Sequence, residues 1–241
     1  MDQHFAPLPD RQARRFGLSA VVRLGDAGPH GRARLDALTR YLQDIAREDG
    51  EESGIGGVWV LRRMALRFTG SWPRLDDPLS LTTFCSGTGG RWAERRTIME
   101  APRGRVDAAA IWVLIDQSSG RPLRIPGTFA ELYGDQATRP VSSRLTVPGP
   151  PPKLAGRPWK LRSTDFDVLN HVNNARYWEA VEDELTASGR PRLGSAVTEF
   201  RTAIEAGHEP EVLSDDVAGG MRVWLRTGGV IHSASEVTFV D

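Results

Sequence analysis

The chain has 241 residues, and Lys+Arg and Asp+Glu are equal at 31 each, so its charge gives no argument for a nucleic acid or an anionic membrane as partner. Hydrophobic residues at 39% and charged residues at 26% are those of a soluble globular protein long enough to bury a substantial core. The single cysteine, Cys85, excludes an internal disulfide and a Cys-rich metal site, and no apolar run approaches the roughly 18 residues of a membrane span.

The first residues carry no apolar stretch fit for a signal peptide, which makes a cytoplasmic protein the expectation. A short strand is predicted at 17–24. Leu35, Leu38, Leu42 and Ile45 then fall at spacings of three and four, the apolar stripe of an amphipathic helix. Four β-like runs follow at 58–69, 79–86, 91–101 and 105–116, separated by Gly-rich turns. Cys85 lies in the second run and reads as a buried, inert thiol, with a reactive nucleophile as the alternative. Leu145-Thr-Val-Pro-Gly-Pro-Pro-Pro-Lys153 reads as a stiff Pro-rich linker. Beyond it the pattern repeats: a strand at 159–162, a helix carrying Tyr177, Val181 and Leu185, and strand runs at 195–205, 211–216, 221–227 and 230–240. Asn173 or Asn174 is the predicted cap of that second helix, and Gly189-Arg-Pro191 its stop.

The halves share spacing as well as order. Phe68 and Phe200, Asp77 and Glu209, and Pro78 and Pro210 are each 132 residues apart; Asp26-x-x-x-His30 and Asp167-x-x-x-His171 are displaced by 141. Constant offsets point to a tandem duplication, with domains at 1–140 and 153–241. A long helix followed by an antiparallel sheet that wraps it is the hotdog arrangement, so the predicted fold class is α+β, a tandem hotdog. Pairing the halves edge to edge would cover an open sheet edge in each.

The densest polar cluster, 164–177, surrounds the start of the second helix. A helix N-terminus offers unpaired N–H groups and positive potential, which can polarise a carbonyl and hold an oxyanion. A carboxylate and an imidazole beside it can orient or deprotonate water. Asp and Asn also serve there simply as caps.

Asp165-Phe-Asp-Val-Leu-Asn-His-Val-Asn-Asn-Ala-Arg-Tyr177 resembles the D-x-D-V-N-x-H-V-N-N-x-x-Y motif of the acyl-acyl carrier protein (acyl-ACP) thioesterases. Trp59-Val-Leu-Arg-Arg-Met64, Trp112-Val-Leu-Ile-Asp116, Arg121-Pro-Leu-Arg-Ile-Pro126 and Thr198-Glu-Phe-Arg201 resemble further segments of that family. The resemblance implies hydrolysis of a fatty acyl thioester without metal or other cofactor, a chain-binding first domain and a catalytic second one. It puts Asp167 and His171 at the family's catalytic Asp and His. Two positions depart from the pattern: Leu169 stands where the family has a catalytic Asn, and a gapless reading puts Ala203 and Ile204 where it has an acidic residue on the next strand. Asn170 or Glu205 could substitute, and Asn173 completes the candidate set.

The departures leave open a thioesterase with rearranged machinery, an acyl-CoA thioesterase, or a non-catalytic acyl-binding protein. Asp26 and His30 read as relics or caps. Trp59, Met64, Trp72, Trp92 and Trp112 read as tunnel lining or core. An acidic carrier protein would call for a basic face, for which Arg11, Arg14 and Arg15, or Arg91, Arg95 and Arg96, are candidates. The expected assembly is a monomer with an internal pseudo-dimer, or a homodimer.

Overall fold

The computed structural model describes residue 5 and residues 14–189 and 193–240. The first half is strand β1 (Phe16–Val21), helix α1 (Leu35–Ser53), and strands β2 (Val58–Gly70), β3 (Pro78–Thr88), β4 (Trp92–Ala101) and β5 (Gly104–Ile115). A short helix α2 (Thr128–Tyr133), which the sequence periodicity does not reveal, lies between the halves. The second half is strand β6 (Arg157–Pro158), helix α3 (Tyr177–Ala187), and strands β7 (Leu193–Phe200), β8 (Glu211–Val217), β9 (Gly220–Thr227) and β10 (Val230–Phe239).

All ten strands form one antiparallel sheet in the order β1-β3-β4-β5-β2-β7-β10-β9-β8-β6. The second five mirror the first five, element for element, which makes the chain an α+β tandem hotdog. The halves meet where β2 pairs with β7, Arg63 opposite Glu199 through Arg67 opposite Ser195. Ala65 and Val197, which the 132-residue offset makes equivalent, are paired with each other, so the pseudo-twofold axis passes between them.

Alternation along the strands divides the sheet into two faces. Leu61, Met64, Leu66, Leu79, Leu81, Met99, Val106, Ala108 and Ala110 from the first half point inward. Val212, Met221, Val223, Leu225 and Val237 from the second join them in one continuous core around both helices. The apolar stripe of α1 is buried as its periodicity requires, and Gly54, with φ +67°, ends that helix in a left-handed cap. Met64 is core and Trp72 packs beside it, stacked on Phe68 at 4.1 Å, so neither lines a tunnel.

Three expectations are corrected. The predicted strand at 159–162 is instead the two-residue β6, paired with β8 at Val212 and Glu211. The run predicted as 195–205 leaves the sheet after Phe200, because the N–H groups of Arg201 and Thr202 both turn to the His232 carbonyl. The Pro-rich connector does not stand off as a spacer. It crosses the outer face of the sheet at the seam, where Arg63 donates to the Ser142 and Arg144 carbonyls and Glu199 accepts from the Thr146 and Val147 N–H groups.

The helices lie against each other so that each sends one side chain to the start of the other. Glu182 of α3 accepts from the Leu35 N–H at 2.5 Å and pairs with Arg32. Burial raises the Glu182 carboxyl above the ordinary value, while the Leu35 N–H and Arg32 pull it down. Arg34, the residue at the cap position of α1, supplies no side-chain cap of its own, so this carboxylate is the cap. Replacing Glu182 by Ala leaves a part-buried N–H and a guanidinium unpaired. It should cost about 1–3 kcal/mol, read as a lower midpoint in urea denaturation at unchanged slope.

Candidate active site

The motif segment folds as a tight hairpin followed by a helical turn. Phe166 and Val172 bridge across it, the Asp167 N–H donates to the His171 carbonyl at 2.8 Å, and the Asn170 N–H donates to the Asp167 carbonyl at 2.9 Å. Asp167 Oδ1 accepts from the N–H groups of Leu169 (2.9 Å) and His171 (3.3 Å), which closes the turn. Asn170 stands at φ +59°, a left-handed position that Asn tolerates better than most residues, and it is exposed. Asn173 caps the turn Asn174–Arg176 that leads into α3, its Oδ1 accepting from the Ala175 N–H at 2.9 Å. Asp165 is buried and takes an anchoring role, bonded to the Arg162 N–H and guanidinium.

These contacts recur in the first half, but 139 residues away rather than 141. Gly28 N–H to Arg32 O, Gly31 N–H to Gly28 O and Arg34 N–H to Asp26 O reproduce Asp167 to His171, Asn170 to Asp167 and Asn173 to Asp165. Asp26 therefore matches the anchoring Asp165, not Asp167; its carboxylate accepts from the Arg23 N–H and the Tyr41 hydroxyl. Gly28 and Arg32 occupy the places of Asp167 and His171. Asp26 is a cap, and the apparent Asp–His echo is an accident of spacing.

The departure of 201–205 from the sheet brings Glu205 to the hairpin. His171 and Glu205 form an antiparallel bridge, and Val172 donates to the Ile204 carbonyl at 2.9 Å. Directly paired residues project to the same side, so Glu205 stands beside His171 although it is not on β7. Ile204 is fully buried, and its N–H donates to the Tyr177 hydroxyl. His232 holds the segment from below: Nδ1 lies 3.1 Å from the Thr202 and Ala203 carbonyls and Nε2 3.0 Å from the Thr227 hydroxyl.

A cavity of about 1010 Å³ opens between α1 and the first-half sheet, at the upper end of small-molecule sites. Trp59, Trp112, Ala93, Phe129 and Tyr133 supply much of its wall, and Phe166, Asp167, Val168 and Asn173 reach it from the second half. Asp167 and Asn173 are thus brought together on the cavity, while His171, Asn170 and Glu205 do not line it. Gln43 of α1 lies there as well, its Nε2 donating to Asn173 Oδ1 at 3.4 Å. Gln43 was not singled out from the sequence; the hydrogen-bond pattern shows it, since Gln43 and Glu182 are separated by the same 139 residues as the hairpin contacts. Trp92, with its indole N–H on the Val141 carbonyl, does not line the cavity.

The basic face is largely used up inside the fold. Arg14 and Arg95 both bind the buried Asp49, which also accepts from the Tyr133 hydroxyl, and Arg96 is buried against Asp107. Burial lowers the Arg96 guanidinium to about 10. Arg15 has a partner of its own, Arg91 is exposed, and Arg11 lies outside the described residues. Among the described residues no group of His, Cys, Asp and Glu is arranged to hold a metal ion, and no helix is long and apolar enough to cross a membrane.

Two wrapped helices, one shared sheet and a single site at the start of the second helix define a double-hotdog protein. Comparison with known proteins narrows the class. Residues 15–133 match the family profile of the acyl-ACP thioesterase N-terminal domain, and residues 153–216 that of the C-terminal domain. The chain belongs to the acyl-ACP thioesterase family and is a thioester hydrolase. An uncharacterized protein of Mycobacterium tuberculosis is 25% identical over 221 residues, 87% of this chain and 86% of that one. In fold, the chain is similar to an acyl-ACP thioesterase from Bacteroides thetaiotaomicron (TM-score 0.81, 18% identity, 94% of this chain and 98% of that one). It is similar also to the 12:0-ACP thioesterase from Umbellularia californica (TM-score 0.77, 16% identity, 94% and 97%).

Two outcomes follow from burial. Cys85 is buried in the cavity wall, where its thiol is pushed up to about 11. Alkylation by iodoacetamide at pH 8 should therefore be at least about 100-fold slower in the native protein than in urea. The His232 imidazole is held below its ordinary 6.5, burial being the main cause. A depressed base favours the neutral folded state, so its contribution is complete above pH 6.5 and is lost as pH falls through the lower folded value. The melting temperature should fall between pH 7 and 5, and less so in His232→Asn.

Proposed function

We propose that the protein hydrolyses fatty acyl-ACP to free fatty acid and carrier protein, in the cytoplasm, as part of fatty acid biosynthesis. We take residues 1–140 as the chain-binding hotdog domain and 153–241 as the catalytic one. The observation that carries this reading is a cavity whose aromatic wall, Trp59, Trp112 and Phe129, belongs to the first half and to which the second half brings Asp167 and Asn173. An acyl chain laid along Trp59, Trp112 and Phe129 brings its thioester to the start of α3. The carrier assignment rests on family membership.

In this mechanism Asp167 and His171 handle the water. Asp167 Oδ1 is tied to the turn, which leaves Oδ2 to orient the nucleophile. His171, outside the cavity wall but joined to Asp167 across the hairpin, takes a proton from this water as the oxygen attacks the carbonyl carbon, with Glu205 beside it to balance the imidazolium. The carbonyl electron pair moves onto oxygen, near the positive end of α3. Collapse then breaks the C–S bond, and the thiolate takes the proton from His171.

Thiol release from acyl-ACP and acyl-CoA substrates of several chain lengths tests the assignment. Hydrolysis should be faster with the ACP-linked chains, and Asp167→Asn and His171→Ala should each lower kcat about 100-fold or more. Preference for CoA esters would make it an acyl-CoA thioesterase, and acyl binding without thiol release would sink the hydrolytic reading. Full activity in both variants would overturn the site.

A further inference from the structure

The two helix starts are related by the pseudo-twofold but are in different states. In the first half the Leu35 N–H is occupied: Glu182 places a carboxylate oxygen on it at 2.5 Å. An oxygen anion at this point of the fold is thus already present, supplied by the chain itself. The residue 139 positions on from Leu35 is Asn174, the first residue of the turn that starts α3. Among the described residues no acceptor takes the Asn174 N–H. The counterpart of Glu182 is Gln43, which arrives at that second helix start as a neutral amide.

This difference decides which start can receive an external anion. Glu182 fills the first one and adds an ion pair to Arg32, which stands where the second half has His171. Gln43 brings donors instead. One amide N–H is directed to Asn173 Oδ1 at 3.4 Å, and an amide nitrogen carries two. Gln43, Asp167 and Asn173 line the same cavity. Leu169, at the position where an amide side chain is missing from the hairpin, is half-exposed and offers no donor.

We propose that Gln43 is a catalytic residue: its side-chain amide and the Asn174 N–H together hold the oxyanion formed on the thioester carbonyl. The inference rests on reading the second-half site as the hydrolytic one. It makes the active centre composite, one oxyanion donor from each half. It also assigns Glu182 as the built-in occupant of the first-half equivalent, which is why the chain has one such site and not two.

Two substitutions test it, Gln43→Met, which keeps length but removes the donors, and Gln43→Glu, which recreates the Glu182 arrangement at the second helix start. Both should lower kcat for the best acyl thioester about 100-fold, the scale of losing one oxyanion donor, with KM little changed. Dodecanoate binding by calorimetry needs no turnover and probes the same anion site. Gln43→Glu should weaken dodecanoate about 10-fold or more and leave dodecanol binding intact. Equal dodecanoate affinity in all three proteins overturns the proposal, whether or not the wild type hydrolyses any thioester. So does a parallel loss of dodecanol, which would mark a collapsed cavity. Absence of hydrolysis in the wild type sinks the enzymatic reading alone, because the calorimetry still decides the anion site.

Discussion

The antiparallel seam between β2 and β7 is the constraint from which the rest of the molecule follows. Either five-stranded half alone would leave a row of unpaired N–H and C=O groups along its inner edge strand. Joining them there makes one sheet with a pseudo-twofold between Ala65 and Val197. That axis sets α1 and α3 against each other and brings the start of each helix to the flank of the other. The connector is fixed by the same seam, since Arg63 and Glu199, opposite each other in the register, hold its backbone. Fold, cavity and site are therefore one arrangement.

Within that frame the halves have specialised by small changes at equivalent places. Gly28 and Arg32 face Asp167 and His171 across the symmetry, and Glu182 faces Gln43. The first-half hairpin is locked by an ion pair; the second presents a carboxylate and an amide to a large cavity. The cavity wall is also asymmetric, because α2 closes it with Phe129 and Tyr133 and the polar cluster around Asp49 backs it. The first half supplies most of the wall, Gln43 included, and the second brings Asp167 and Asn173 to it.

Much of this was legible in the chain. Two helices with period-3.6 stripes, eight strands with period-2 alternation and a 132-residue repeat carry the architecture, because burial on one face imposes those periods directly. The cap at Asn173 was legible for a local reason, since N-caps depend on neighbours in sequence. What was not legible depends on distant contacts. The end of β7 at Phe200 is set by the His232 carbonyl, and only that early end carries Glu205 to His171. Gln43 is one polar residue on an amphipathic helix until α3 is packed beside it. The Asp26–His30 echo misled because matching two letters ignores backbone geometry, whereas the hydrogen-bond pattern repeats at 139. The Arg clusters misled because an arginine's destination, solvent or a buried carboxylate such as Asp49, is decided by tertiary packing.

The pairing of Ala65 with Val197 carries one more consequence. In a dimer of identical chains the residue on the twofold meets its own copy, so one side-chain volume must suit both sides of the axis at once. A fused chain is free of that identity requirement. The residues on its two strands can differ, and here Ala65 is opposite Val197. The axis of this protein is therefore a place where the two sides can change separately.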